Sequence, residues 1–146
     1  FLYVFVLLYF LSKISEEQKK IIEEYAKYNE CKIVNIYDIE SPAYYNTTPQ
    51  EFIYLMNKAS YVFTNSFHGT VFSILYHRKF TTFSRVLNEV RMNNRSITLL
   101  EKFDLLECLN GIKITEYDWN YVEDILKIES DKGIEYLRKE IERAVS

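Results

Sequence analysis

Residues 62–73 read Val-Phe-Thr-Asn-Ser-Phe-His-Gly-Thr-Val-Phe-Ser: a short apolar run, a polar hinge centred on His68, then an amphipathic segment. The hinge carries one of the chain's two histidines and, directly after it, Gly69, one of three glycines. A loop that hands a strand over to a helix presents open backbone N–H groups and the positive end of the helix dipole, and phosphates and carboxylates bind there. Ser66 and Thr70 would add hydroxyls to such a site, and Gly69 would let a ligand approach the backbone closely. His68 would place a titratable donor beside the anion. An arriving dianion favours the protonated imidazole, so binding itself would arm a general acid. The same residues also allow a plainer reading, in which His68 caps its helix or bonds a nearby carbonyl.

The surroundings favour an anionic ligand. From Phe52 to Asn88 the chain has no aspartate or glutamate, whereas Lys58, Arg78, Lys79, Arg85 and both histidines fall inside, giving a +4 window in a chain of net charge −3. Arg85, Arg91 and Arg95 follow the last strand of this window and could clamp a carboxylate or phosphate bidentately. Ordinary surface pairing, for example Arg85 with Glu89, is the alternative. His77, beside Arg78 and Lys79, is expected to serve the C-terminal end of a helix, where cations suit the dipole.

These residues need a scaffold, and the periodicity supplies one. Phe1 to Leu11 are all apolar or aromatic, too short a run to span a bilayer at about 20 residues and best read as a buried parallel strand. Ser15 with Gln18 forms a capping-box pattern ahead of a helix over roughly 16–29. Lys32 to Tyr37 reads as a second buried strand. A loop then runs through Ser41-Pro42 to Thr47. Thr48, Pro49 and Glu51 open another helix that should end near Ala59. Tyr61 to Thr64 is a third strand, Gly69 to His77 a helix with Val71, Phe72, Ile74 and Leu75 inward, and Phe80 to Phe83 a fourth strand. Helices are expected over Asn93–Phe103, Trp119–Ile128 and Glu129–Val145, the last with Ile134, Leu137, Ile141 and Val145 on one stripe and its charges on a solvated face. The fold class is α/β, a Rossmann-like parallel sheet with helices on both faces, whose ligands sit at the carboxyl ends of the strands.

Length and composition bound the rest. With 146 residues, 48% of them hydrophobic, residues 1–146 are expected to form a single domain with a substantial core. The chain begins at Phe1 directly in an apolar run, as a domain cut from a longer polypeptide would, so a missing N-terminal domain is expected as its partner. Cys31 and Cys108 are widely spaced and form no C-x-x-C arrangement, which points to no disulfide scaffold and no metal site and fits a reducing cytoplasm. Mild acidity without a basic stripe argues against nucleic acid, and no transmembrane segment or leader is indicated. The first strand-to-helix turn, Ser12-Lys13-Ile14-Ser15, has no glycine, and no Walker-type motif occurs, so neither a dinucleotide nor another cofactor is expected.

The segment from Ala59 to Ser73, with its S-F-H-G-T core, resembles the signature of the polysaccharide pyruvyl transferase family. Upstream, Thr48-Pro49-Gln50-Glu51-Phe52 looks like the stretch before the family's signature helix. Downstream, Arg95 with Leu99-Leu100 looks like its R-x-x-x-L-L element, and Tyr117-Asp118-Trp119 like its usual ending. The resemblance implies transfer of pyruvate from phosphoenolpyruvate to a pair of hydroxyls on a saccharide acceptor, as a ketal, in cell-surface or exopolysaccharide biosynthesis. It implies a fold resembling the C-terminal, donor-binding domain of a glycosyltransferase B-type enzyme, and a cytoplasmic location, peripheral to the inner membrane face where the acceptor is lipid-linked. By the same resemblance His68 is the catalytic acid or the phosphate's partner, Ser66, Gly69 and Thr70 hold phosphate, and Arg95 and Arg85 hold the carboxylate. Asn65 stands where many members of the resembled family have aspartate, and Cys108 where they often carry arginine shortly after the R-x-x-x-L-L element. Acceptor contacts and the general base are expected outside this chain. A nucleotide-sugar glycosyltransferase and a non-catalytic anion-binding module are the alternatives, the first disfavoured by the acid-free window, since its donor domain normally offers a carboxylate to the ribose.

Overall fold

The structure is a computed structural model that describes residues 4–38, 40, 45–87, 90–91 and 94–146. Four parallel strands form its sheet in the order β2-β1-β3-β4: β1 (Phe5–Tyr9), β2 (Lys32–Asn35), β3 (Tyr61–Thr64) and β4 (Phe80–Thr82). Crossover helices α1 (Glu16–Tyr28), α2 (Pro49–Lys58) and α3 (Phe67–Leu75) join them. The chain leaves β1 for one neighbour and returns to the other, so the sheet's switch point falls between β1 and β3, where Tyr9 lies in register with Thr64.

Strand alternation divides the core between two faces. Val6 and Leu8 of β1, with Tyr61 and Phe63 of β3, pack with Ile22 and Ala26 of α1. On the opposite face the Tyr9 ring meets Phe52 of α2 at 5.0 Å, and Phe52 in turn meets Phe72 of α3 at 5.4 Å. Fully burying one such aromatic side chain contributes about 1.5–3 kcal/mol. Both capping boxes form: Ser15 with Gln18 at α1, and Thr48 with Glu51 at α2 behind Pro49.

Past β4 the chain adds a short antiparallel pair, β5 (Val86–Leu87) with β6 (Val90–Arg91), then α4 (Asn94–Lys102) and a 3-10 turn at Leu106–Cys108. The segment after that turn returns to the sheet: Asn110 donates its N–H to the Thr82 carbonyl, and its side chain bonds both the N–H and the hydroxyl of Ser84 at 2.7 Å. Two compact units result, Phe1–Glu116 and Tyr117–Ser146. The second is built around α5 (Trp119–Val145), capped by Asp118, which accepts from the Tyr121 N–H. Among the described residues no helix is long and apolar enough to cross a membrane.

Four expectations are corrected. The strand at Lys32 is shorter than the run to Tyr37 and is not buried throughout. It lies at the sheet edge, and only Val34 of its four residues is fully covered. Helix α3 begins at Phe67, not Gly69, because Ser66 rather than a later residue caps it, and this start rotates its inner face. Gly69, Thr70, Ser73 and Ile74 point inward, whereas Leu75 is exposed. The two closing helices are one continuous helix of 27 residues, since nothing at Glu129 or Gly133 supplies a stop. Its stripe of Ile134, Leu137, Ile141 and Val145 is exposed. Ser41-Pro42 of the expected loop and Glu89, the suggested partner of Arg85, lie outside the described residues.

Candidate functional site

At the carboxyl end of β3 the chain turns into α3 through a buried polar frame. The Thr64 hydroxyl donates to the Tyr9 carbonyl at 2.6 Å and accepts from the Ser66 N–H at 3.0 Å, which ties the ends of β1 and β3 to the turn. Ser66 then caps α3 by accepting from the Gly69 N–H at 3.3 Å. Thr70 is wholly buried, its hydroxyl donating to the Ser66 carbonyl and sharing a 2.8 Å bond with the Thr82 hydroxyl. Ser66 and Thr70 are therefore spent on building the turn, and Thr70 has no face toward solvent. The sheet itself leaves no room for a side chain at Gly69: a Cβ there would lie 2.3 Å from Thr64 Oγ1 and 2.8 Å from Tyr9 Cδ1.

What remains open is the outer side of the first turn. His68, the second residue of α3, is exposed, and among the described residues its imidazole has no hydrogen-bond partner. The backbone N–H groups of Phe67 and His68 have none either, as the first turn of a helix dictates. Arg95, from the first turn of α4, lays its guanidinium over the Phe67 ring at 4.2 Å. A cation there opposes the dipole of its own helix, an arrangement that a bound anion relieves. His68 and the two N–H donors fall within the acid-free stretch of the sequence, and Arg95 reaches the same turn from beyond it through the Phe67 ring.

Arg85 is half-buried just past β4, two residues beyond Phe83, whose N–H bonds the Thr64 carbonyl at 2.7 Å. It lies at the same rim of the sheet as the hinge. His77 takes a left-handed backbone conformation (φ 52°) and ends α3 through its N–H to the Ile74 carbonyl. Arg78 beside it donates to the Tyr76 and Ala59 carbonyls, the C-terminal part that its charge suits. Cys108 is wholly buried, and Cys31 half-buried. Among the described residues no group of three His, Cys, Asp or Glu side chains could hold a metal ion.

Two residues, Asn65 and Tyr9, have structural parts here that the motif alone does not show. Asn65 accepts from the Leu11 N–H at 2.8 Å and donates to the Ser12 hydroxyl at 2.7 Å, so its carboxamide fastens the turn after β1 to the hinge after β3. An amide does this with one donor and one acceptor, and no carboxylate function is needed. Tyr9 brings a phenol to the switch point. Burial pushes its pKa up, the neighbouring Tyr37 adds to the rise, and hydrogen bonding with Ser66 opposes it, so the phenol stays protonated at neutral pH.

Comparison with known proteins agrees with the S-F-H-G-T hinge. A family model described as polysaccharide pyruvyl transferase matches residues 2–85, more than half of the chain and all four strands of the sheet. The segments carrying Arg95 and Tyr117 lie outside that match. Searches of curated proteins and of solved structures found no match.

Proposed function

Since this chain belongs to the polysaccharide pyruvyl transferase family, we propose that it binds phosphoenolpyruvate at the first turn of α3 and serves its transfer to a saccharide. The observation that carries the reading is an exposed imidazole and two open N–H groups on the first turn of α3, with the Arg95 guanidinium laid over the Phe67 ring of that same turn. Phosphoenolpyruvate is a compact trianion with a phosphate and a carboxylate on one carbon, which calls for two anion sites a few ångströms apart. The N–H groups of Phe67 and His68 supply one and the Arg95 guanidinium the other, with Arg85 a second cation at the rim. Ser66, Gly69 and Thr70 act one step back, as the frame that aims these groups.

In the reaction, a proton is added to the methylene carbon of phosphoenolpyruvate and its central carbon becomes electrophilic. One sugar hydroxyl bonds to that carbon, a second displaces the phosphate, and the ketal closes. Of the two hydroxyl protons released, one balances the proton now in the methyl group and the other leaves with phosphate. His68 is the acid for the first step or the proton-bearing partner of the departing phosphate. The chain is read as the donor-binding part of a two-domain enzyme of glycosyltransferase B type.

Thermal denaturation with phosphoenolpyruvate and, separately, a uridine nucleotide sugar tests the reading. A ligand at about 100 times its dissociation constant adds about 2.7 kcal/mol to stability. Stabilisation by phosphoenolpyruvate is expected, and it should vanish in His68→Ala with Arg95→Ala. Stabilisation by the nucleotide sugar alone would replace this reading with a glycosyltransferase.

A further inference from the structure

We propose that the cleft at the carboxyl ends of β1 and β2 seats the saccharide that accepts the pyruvyl group. This rests on the pyruvyl-transfer reading of the hinge, and it moves part of the acceptor's grip into this chain rather than outside it. The cleft has a volume of about 1040 Å³ and a floor of Leu8, Phe10 and Ile22. That is the upper end of the range for small-ligand sites, about 300–1,000 Å³. Its rim carries Tyr37 and Tyr45, 47% and 46% exposed, together with the exposed Leu11 and Ile33. Large apolar side chains gathered at a concavity, and left open to water, mark a place where something binds.

The polar part of the wall says what that is. Two lysines, Lys13 and Lys19, share the lining with four carboxylates, those of Glu16, Glu23, Asp38 and Glu40, so the cleft is net negative. A phosphorylated acid or a nucleotide diphosphate is repelled by this balance. A neutral sugar is not: carboxylates and the Asn35 amide accept and donate to its hydroxyls, and tyrosine rings cover the apolar faces of its pyranose. Asp38 Oδ1 accepts from the Glu40 N–H at 3.0 Å, which holds that stretch of the rim in shape.

The cleft also adjoins the hinge through two contacts. The Tyr37 ring on its rim packs on the Tyr9 ring at 5.4 Å, and Tyr9 lies in register with Thr64, two residues before the cap of α3. Ser12 on its other wall takes the hydrogen bond from Asn65, the residue before that cap. The cleft and the hinge are thereby joined through the ends of β1 and β3.

Amide-resolved NMR of the ¹⁵N-labelled chain tests the proposal with lactose and methyl α-D-mannopyranoside at tens of millimolar, and phosphoenolpyruvate in a separate titration. At least one sugar is expected to shift Ser12, Glu23 and Tyr37 while leaving Phe67 to Thr70 in place. Tyr37→Ala and the conservative Glu23→Gln should each weaken that response about tenfold. Phosphoenolpyruvate should move Phe67 and His68 equally in the parent and in Glu23→Gln. Sugars that move no cleft signal, or that move hinge signals instead, overturn the proposal. If sugars bind the cleft but phosphoenolpyruvate leaves the hinge unmoved, the donor reading falls and a saccharide site remains.

Discussion

Replacing Gly69 with alanine tests how α3 is seated, because two opposing effects of known size meet at that residue. In an open helix the change gains about 1 kcal/mol from propensity. Here the added Cβ would fall 2.3 Å from Thr64 Oγ1 and 3.0 Å from Thr64 Cβ, neither of them on a flexible arm. Overpacking of this kind costs about 1–3 kcal/mol. Displacing the Thr64 hydroxyl also weakens its bonds to the Tyr9 carbonyl and the Ser66 N–H, each worth about 1 kcal/mol. The expected net is a loss of about 2–3 kcal/mol in urea denaturation. Gly133→Ala is the control. Nothing lies within 4 Å of a Cβ at that site in α5, so the same change should increase helix stability by about 1 kcal/mol. Combining Gly69→Ala with Thr64→Ala removes the clashing oxygen, and the pair should couple by about 1 kcal/mol. A Gly69→Ala protein as stable as its parent would refute the close seating of α3 on the sheet.

Three further outcomes are expected. His68→Ala should leave stability within about 0.5 kcal/mol, since the ring is exposed, yet lower pyruvyl transfer about 10²–10⁴-fold, read by phosphate release. Asn65→Leu should cost about 1–3 kcal/mol by leaving the Leu11 N–H without its acceptor, and lost amide-exchange protection at Leu11 checks it. The Thr48 N–H holds the Glu51 carboxyl below its ordinary value, so this contribution to stability is present above the unfolded pKa and is lost as pH falls through the depressed one. Glu51→Gln should flatten that acid limb of the stability profile, measured by denaturation across pH 3–6 at about half-unit steps.

How legible was this in the sequence? The helix starts were, because Ser15 with Gln18 and Thr48 with Glu51 carry their own chemistry and the structure forms both boxes. The four strands were, because short β-branched and aromatic runs alternate with helical patterns along the chain. The start of α3 was misplaced by two residues because Gly69 reads locally as a hinge, whereas it is the contact that lets helix and sheet touch. The exposure of β2 was not legible, since edge or centre is decided by strand order and not by the strand's own residues. The site divides in the same way. His68 and Arg95 could be named from type and spacing, but Asn65 and Tyr9 act through partners more than 50 residues away, and no local pattern marks such a bond.

The most direct measurement is the structure of this chain with phosphoenolpyruvate bound. The account predicts phosphate oxygens within hydrogen-bond distance of the Phe67 and His68 N–H groups, the carboxylate on Arg95, and the His68 imidazole against the phosphate or the methylene carbon. Phosphoenolpyruvate lodged in the cleft between β1 and β2, or bound with His68 facing away from it, would contradict the account.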